Sequence, residues 1–205
     1  MLAALLLSNC GEKKSEPKVF AKLSAQEIEA LKQKVQALPN EPVTDDEKAV
    51  IKTTMGTIEL EFFAEKAPNH CANFKKLANA GFYDGTTFHR VVPGFVIQGG
   101  DILTRDDNPA NDGTGDAGYK LNAEFNDIHH DRGIISTARG RDINSAGTQF
   151  FICVSPKYHL DGQYTVFARV TKGMDIVDKI VGVERDSHDR PKVDVVMEEV
   201  RVVKK

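Results

Sequence analysis

Apolar and polar residues alternate in several short stretches of the chain. Over the stretch AVIKTTMGTIELEFF, Ile58, Leu60 and Phe62 are apolar and the residues between them are polar. Successive side chains of a β-strand point to opposite faces, so this period of two predicts a strand with one buried face. Met55 and Gly56 interrupt the pattern and predict the turn of a β-hairpin.

An early stretch, LSAQEIEALKQKVQALP, has the helical period instead. Ser24 and Glu27 have capping-box spacing at its start, and Pro39 ends it. Its apolar stripe consists of Ile28, Leu31, Val35 and Leu38. Such a stripe docks on another apolar surface, either on the rest of this chain or on a partner, and the first is the favoured interpretation.

Two further stretches predict helices, APNHCANFKKLANAGFYDG and GMDIVDKIVG. In the first of them, Pro68 suits the opening turn and Gly81 ends the helix. Cys71 falls on the apolar stripe, so we expect it to be a small core residue.

The remaining apolar stretches are short and separated by turn residues, as in GIISTA, QFFICV, TVFARV and VDVVMEEVRVV. Many short strands with few helices predict a mainly β fold, a closed antiparallel β-barrel capped by two helices, with an extra N-terminal helix. The pattern divides the chain into a signal remnant over 1–10, a tether and helix over 11–47, and a principal domain over 48–205.

The composition narrows the possible partners. With 205 residues, 40% of them hydrophobic and 28% charged, the chain can bury one sizeable core. The formal net charge is -3 and the lysines are dispersed among glutamates, so we expect no nucleic-acid partner. Cys10, Cys71 and Cys153 are too far apart for a zinc knuckle and too few for a disulfide framework. No long unpaired apolar helix demands a dimer, so a monomer is expected.

The first ten residues, MLAALLLSNC, contain an apolar run far shorter than the ~20 residues that span a bilayer. The run resembles the end of a signal peptide and the lipobox of bacterial lipoproteins, although Asn9 replaces the usual Gly or Ala. The resemblance implies that Cys10 is lipidated and anchors the protein to the bacterial cell envelope, facing the periplasm or the exterior. The alternative is a frayed hydrophobic N-terminus with an incidental cysteine.

The segment FHRVVPGFVIQGGD combines an arginine, a glutamine and a double glycine with an apolar run. Together with GTGDAG, GRDINSAGTQFFI and HLDGQYTVFARV, it resembles the cyclophilin family of peptidyl-prolyl isomerases over roughly Ala49 to Val203. These motifs stand in the family's order. The resemblance implies proline-containing polypeptides as partners, and neither metal, nucleotide nor any other cofactor.

The resemblance also implies the roles of individual residues. Arg90, Phe95 and Gln98 would be catalytic. The substrate-binding residues would be Val96, Ala138, Arg139, Gln149, Phe151, His159, Leu160 and Tyr164. Among these, Tyr164 stands where many members carry histidine, and Arg139 replaces a small polar residue.

The chemistry of prolyl isomerisation explains why an arginine would stand beside an apolar pocket. Resonance gives the prolyl C–N bond partial double-bond character, and rotation about a peptide bond has a barrier of ~18–20 kcal/mol. A guanidinium aimed at the nitrogen binds the twisted state, in which the lone pair is no longer delocalised, better than the planar state. Arg90 is the candidate for that guanidinium.

Other enzyme classes fit the sequence less well. His129 and His130 are adjacent, so in a strand they would point to opposite faces, and no carboxylate–histidine pair has ligand-like spacing with them. Ser136, Ser145 and Ser155 lie in no nucleophile elbow. We therefore expect neither a metal site nor a hydrolase triad.

Two functional hypotheses remain. The first is an isomerase that speeds the folding of proline-containing exported or envelope proteins. The second is a non-catalytic module that recognises proline in a partner through the same pocket. The presence of Arg90 favours the first, because a pure binder needs no cation at the rotating nitrogen.

Overall fold

The structure is a computed structural model and describes residues 20–205, so the predicted lipidation site at Cys10 and the tether lie outside it. Within that range, no helix is long and apolar enough to cross a membrane. In chain order the regular elements are α1 (Ala25–Ala37), β1 (Glu47–Thr53), β2 (Gly56–Phe62), α2 (Pro68–Asn79), β3 (Arg90–Val92), β4 (Val96–Gly99), β5 (Ile134–Thr137), β6 (Phe150–Cys153), β7 (Val166–Lys172), α3 (Met174–Val181) and β8 (Met197–Lys204).

The eight strands form one curled antiparallel sheet in the order β3-β4-β6-β5-β7-β2-β1-β8. The predicted closed barrel is wrong, because β3 and β8 stand at opposite ends of this order and do not pair as strands. Just before each of them, Thr87 and Val196 form a single isolated bridge. The three residues of β3 pair with β4 alone, so the sheet is a half-barrel.

The main core lies between the sheet and the helices that pack on it. α2 contacts β7 and β8, and α3 contacts β2, β3 and β4. At the centre, the ring of Phe74 lies 5.2–5.5 Å from the rings of Tyr83, Phe150 and Phe167. Aromatic pairs at these distances add to the free energy gained by burying their surface.

α1 lies against the principal domain. Its capping box forms, since Ser24 Oγ accepts from the N–H of Glu27 (3.3 Å) and the Glu27 carboxylate accepts from the N–H of Ser24 (2.8 Å). Ile28 and Val35 of the apolar stripe are buried in the main core, whereas Leu38 is exposed. The stripe therefore docks within this chain, the first of the two alternatives.

Cys71 and Cys153 are free thiols, and both are buried. Burial raises the pKa of each to about 12, so neither forms a thiolate near neutral pH. The prediction that Cys71 is a small core residue is confirmed.

The first turn of α2 is capped by a residue far away in the sequence. Ala67 precedes the helix and offers no side-chain acceptor. Instead, Glu124 Oε1 accepts from the N–H of Asn69 (3.2 Å) and its Oε2 accepts from the N–H of His70 (3.1 Å). The carboxylate also faces the positive end of the helix dipole. Glu124 thereby ties the segment before β5 to α2.

Removing this cap should destabilise the fold. Glu124→Ala leaves two N–H groups of α2 without their acceptors, and the loss of a helix cap costs about 1 kcal/mol. We expect urea denaturation to show a free energy of unfolding lower by about that amount. As a control, Glu65→Ala removes an exposed carboxylate near the same helix end and should cost less than about 0.5 kcal/mol. Equal losses in the two variants would contradict the capping role.

Candidate active site

The candidate site lies where β3, β4 and β6 run side by side. Arg90 of β3 is paired with Gln98 of β4, and Gln98 is paired with Phe151 of β6. Residues paired directly across antiparallel strands project from the same face of the sheet. The register therefore puts the three side chains in one row.

A pocket of about 220 Å³ opens beside this row. It is lined by Arg90, Phe95, Val96, Gln98, Ala138, Arg139, Phe151, Leu160 and Tyr164. Every one of these residues belongs to the set predicted from the sequence, although their roles in catalysis remain predictions. Sites for drug-sized ligands measure ~300–1,000 Å³, so this smaller pocket suits a single side chain.

The floor of the pocket is an apolar cluster separate from the main core. Val96, Phe151 and Leu160 are buried in it. Tyr164 is partly buried and meets Phe151 edge to face, with ring centroids 5.4 Å apart. A small apolar ring entering the pocket would be removed from water by these surfaces, at a gain of about 25 cal/mol per Å².

Arg90 stands half-buried at the edge of the pocket. Its Nη1 donates a long hydrogen bond to Gln98 Oε1 (3.5 Å), and its Cζ lies 5.8 Å from the ring centroid of Phe95. Within residues 20–205, Arg90 forms no ion pair with a carboxylate. The guanidinium charge is therefore available to a ligand in the pocket.

A chain of hydrogen bonds continues from Arg90 through two amide side chains. Gln98 Nε2 donates to Gln149 Oε1 (3.0 Å). Gln149 Nε2 then donates to the carbonyl oxygens of Gly113 (2.9 Å) and Gly115 (3.0 Å). Because both acceptors are backbone oxygens, they determine which way each amide faces and leave Gln98 Oε1 towards Arg90.

Gln149 lines a second pocket of about 260 Å³, which adjoins the first and shares Gln98, Ala138 and Arg139 with it. Arg139 lines both pockets. Its Nε donates to Gln163 O (2.9 Å), and its Cζ lies 4.8 Å from the ring centroid of Tyr164. Together the two adjoining pockets make one continuous groove.

His159 does not line either pocket. It lies at the rim, where its ring stacks on Phe95 with centroids 6.0 Å apart and planes 17° apart. It therefore supports the pocket through Phe95.

Comparisons with known proteins agree with this geometry. Residues 48–202 match the family model described as cyclophilin type peptidyl-prolyl cis-trans isomerase. The chain belongs to the cyclophilin family. A peptidyl-prolyl cis-trans isomerase of Synechococcus elongatus is 50% identical over 60% of this chain and 79% of its own length, and one of Helicobacter pylori is 42% identical over 72% and 88%.

A solved cyclophilin has the same fold. The cyclophilin-type isomerase of Cryptosporidium parvum, crystallised in the presence of the dipeptide Ala-Pro, superposes with a TM-score of 0.71 at 28% identity. The match covers 77% of this chain and 99% of that one.

Beneath the floor of the cyclophilin pocket, Asp161 binds both adjacent histidines. Its Oδ2 lies 2.7 Å from His129 Nδ1, and its Oδ1 lies 2.8 Å from His130 Nδ1. These residues lie in a loop rather than a strand, so the alternation expected of a strand does not apply to them. The His129 side chain is exposed and the His130 side chain is buried, yet both reach the same carboxylate. Burial alone would raise the pKa of Asp161, but the hydrogen bonds from His129 and His130 lower it to about 2.

His130 also contacts Ser136, with Nε2 2.9 Å from the serine oxygen. A hydrogen-bonded chain thus runs from Ser136 through His130 to Asp161, in the same order as in a hydrolase triad. The sequence did not predict this arrangement. Both Ser136 and His130 are completely buried, and the His130 ring stacks beneath Phe151 with centroids 6.1 Å apart. No substrate reaches this serine, so the network supports the pocket floor.

His89 precedes Arg90 and is buried on the other side of the row. Neither of its ring nitrogens makes a hydrogen bond within the described residues, and burial lowers its pKa to about 4. The ring of His89 is therefore neutral at pH 7 and packs as an uncharged group next to Arg90.

Asp112 lies near His89 and forms an ion pair with Arg190. Burial nevertheless raises the pKa of the Asp112 carboxyl to about 6.

Sequence reasoning missed the residues that hold the predicted ones in place. Gly113 and Gly115 occur in the GTGDAG motif, but nothing in the motif says that their carbonyls orient Gln149. Asp161 lies 31 residues from His130, so no local spacing reveals their contact. The only signal was the presence of both segments among the family-like motifs.

The support by Asp161 should depend on pH. Because the pKa of this carboxyl is lowered from 3.8 to about 2 on folding, its contribution to stability is complete above pH ~4 and is lost as the pH falls through about 2. We expect wild type to be more stable than Asp161→Asn at pH 5, with the difference shrinking below pH ~4. Urea denaturation of both proteins between pH 5 and 2 measures it. A constant difference across that range would contradict the assignment.

Proposed function

We propose that this protein is a peptidyl-prolyl cis-trans isomerase that accelerates rotation about X-Pro bonds. The observation that carries the proposal is Arg90, an arginine without a carboxylate partner among residues 20–205, at the edge of an apolar pocket large enough for one proline ring. The Ala-Pro dipeptide used with the Cryptosporidium parvum relative supports an X-Pro segment as the ligand. One chain contains the whole pocket, which is consistent with a monomer.

The proline ring would enter the pocket against Val96, Phe151 and Leu160. Gln98 would donate to or accept from the substrate backbone beside it. These contacts hold the proline side of the bond while the preceding carbonyl turns, so that rotation occurs about one bond of an otherwise fixed segment.

Arg90 would act on the bond itself. In the planar state the prolyl nitrogen lone pair is delocalised into the carbonyl, and in the twisted state it is localised on nitrogen. A guanidinium donating to that nitrogen stabilises the twisted state more than the planar one, which lowers the barrier. No covalent bond breaks, so the proposed mechanism requires no cofactor.

The non-catalytic alternative would use the same apolar pocket to recognise proline. A half-buried guanidinium that lacks a carboxylate partner among the described residues has an electrostatic cost. A pocket that only recognises proline does not rotate the prolyl bond, so it gains nothing from a cation at the prolyl nitrogen. Gln98 accepts a hydrogen bond from Arg90 and donates one to Gln149, and we call these two bonds the amide relay. The relay fixes the orientation of a polar side chain, which a pocket that only buries an apolar ring does not need. Both features favour the isomerase.

The location of the protein is also a proposal. We place it in the bacterial cell envelope, lipid-anchored through Cys10 and acting on exported or envelope proteins, because LLLSNC resembles a lipobox and GEKKSEPK reads as a tether. More than one acyl chain is needed for stable anchoring, and lipoprotein modification would supply them. The anchor would keep the isomerase domain beside the membrane.

Arg90→Ala should lower turnover roughly 100- to 1,000-fold, the effect of removing one preorganised donor at a developing charge. Arg90→Lys should not restore it, because an ammonium lacks the planar fork of the guanidinium. The measurement is kcat/KM on an Ala-Pro peptide, with thermal denaturation to check the fold. Arg169→Ala, which removes an exposed arginine paired with Glu61, is the control and should keep full turnover. Turnover near wild type in Arg90→Ala, with unchanged melting, would refute the role of Arg90.

Cys10→Ala should release the protein from the membrane. We expect the wild type, expressed in its own host from the natural start, to incorporate labelled palmitate and to partition with membranes, and the variant to do neither. Cys71→Ala is the matched control. The thiol that it removes is buried, so this substitution should leave palmitate labelling unchanged. Unlabelled, soluble wild-type protein would refute the anchor and leave the isomerase proposal standing.

A further inference from the structure

α1 lies outside the part of the chain that matches the cyclophilin family, which begins at residue 48. It nevertheless contacts the segment between β4 and β5 that carries one wall of the groove. We define this segment, residues 101–118, as the wall segment. Its connection to α1 and to Arg90 can be followed bond by bond.

The C-terminal half of α1 binds the far end of the wall segment. Gln36 Nε2 donates to the carbonyl oxygen of Ala117 (2.7 Å). The same amide packs closely on Gly118: a Cβ added at that position would lie 2.5 Å from Gln36 Nε2 and would clash with it. Val35 is fully buried beside it, so the helix cannot move away without exposing apolar surface.

The residues just before α1 bind the near end of the wall segment. The N–H of Leu23 donates to Arg105 O (2.7 Å), and Lys22 Nζ donates to Thr104 O (3.2 Å). In return, Arg105 Nη2 donates to Ala21 O (3.0 Å). The helix and the residues before it therefore hold the wall segment at both of its ends.

Inside the wall segment, the buried carboxylate of Asp101 fixes the two glycines. It accepts from the N–H of Gly115 (3.1 Å) and from the N–H of Gly113. A Cβ at Gly115 would lie 2.0 Å from Asp101 Oδ1, so only glycine permits this approach. The carbonyl oxygens of the same glycines accept from Gln149 Nε2.

From Gln149 the bonds run to Gln98 and then to Arg90. We propose that α1 braces the active site, with Gln36 as a positioning residue that acts through the wall segment, Gln149 and Gln98 on the guanidinium of Arg90. The kinetic consequence of this brace rests on the proposed isomerase function, and its structural consequence does not.

The exposed face of α1 supports this role over docking to another protein. Ile28 and Val35 are buried against the domain, and the residues facing solvent include Glu29, Gln33 and Lys34. The helix thus presents a polar surface outward and uses its apolar surface within the chain.

Two variants test the brace in the full-length chain. Gln36→Ala removes the donor to Ala117, and Gln36→Glu keeps the shape of the side chain but cannot donate when ionised. Gln33→Ala is the control, because this glutamine lies on the same helix, is exposed and, in the described part of the chain, hydrogen-bonds only to Glu29 (3.5 Å). The loss of one neutral hydrogen bond changes an equilibrium constant by about fivefold. We therefore expect kcat/KM on an Ala-Pro peptide to fall by about fivefold in both Gln36 variants.

NMR of the side-chain amides provides a readout that overall stability does not move. The NH₂ signals of Gln149 and Gln98 should shift in both Gln36 variants and stay in place in Gln33→Ala, at a temperature well below unfolding. Unshifted signals in the Gln36 variants, or equal shifts in all three, would overturn the brace. An inactive wild type would refute the isomerase proposal, and these NMR shifts would still test the brace.

A double substitution tests the route. In a Gln149→Ala background the relay is already cut, so adding Gln36→Ala should reduce kcat/KM no further. An undiminished fivefold loss in that background would mean that α1 acts on the site by another path, and would overturn the proposed relay.

Discussion

The register between β3, β4 and β6 is the constraint on which the active site depends. It puts Arg90, Gln98 and Phe151 in one row, so that a cation, an amide and an apolar floor face the same pocket. A shift of one residue in either pairing would turn the shifted side chains to the opposite face of the sheet. Because the strands are only three or four residues long, their pairing is held by what surrounds them rather than by their own hydrogen bonds.

Two hydrogen-bonded supports hold this row. At its middle member, Gln149 connects Gln98 to backbone oxygens of the wall segment, which α1 holds in place. At the apolar end, His130 lies beneath Phe151 and is tied to Asp161. A site that must stabilise a brief twisted state gains from polar groups that are already oriented, since no reorganisation is then needed during rotation.

Local patterns in the sequence predict the parts of the fold that are set by neighbours in the chain. The capping box of Ser24 and Glu27 forms as its spacing indicates. The predicted hairpin also forms, but its turn residues are Thr54 and Met55, one position before the predicted Met55 and Gly56, and Gly56 already pairs with Thr53. The pocket residues came from the resemblance to a family, which preserves order along the chain. What the sequence did not show are contacts between distant segments, such as Glu124 capping α2, and the open edges of the sheet, because neither leaves a periodic signal.

Magnetisation-exchange NMR on an Ala-Pro peptide measures prolyl isomerase activity directly, because it observes the cis and trans forms at equilibrium. Uncatalysed prolyl isomerisation takes tens to hundreds of seconds, far too slow to exchange signals during the mixing time. We expect catalytic amounts of the wild-type protein to produce exchange cross-peaks between the two forms, and Arg90→Ala to abolish most of them. Exchange that stays unaccelerated at high concentrations of folded wild-type protein would contradict this expectation and leave a pocket that only binds proline.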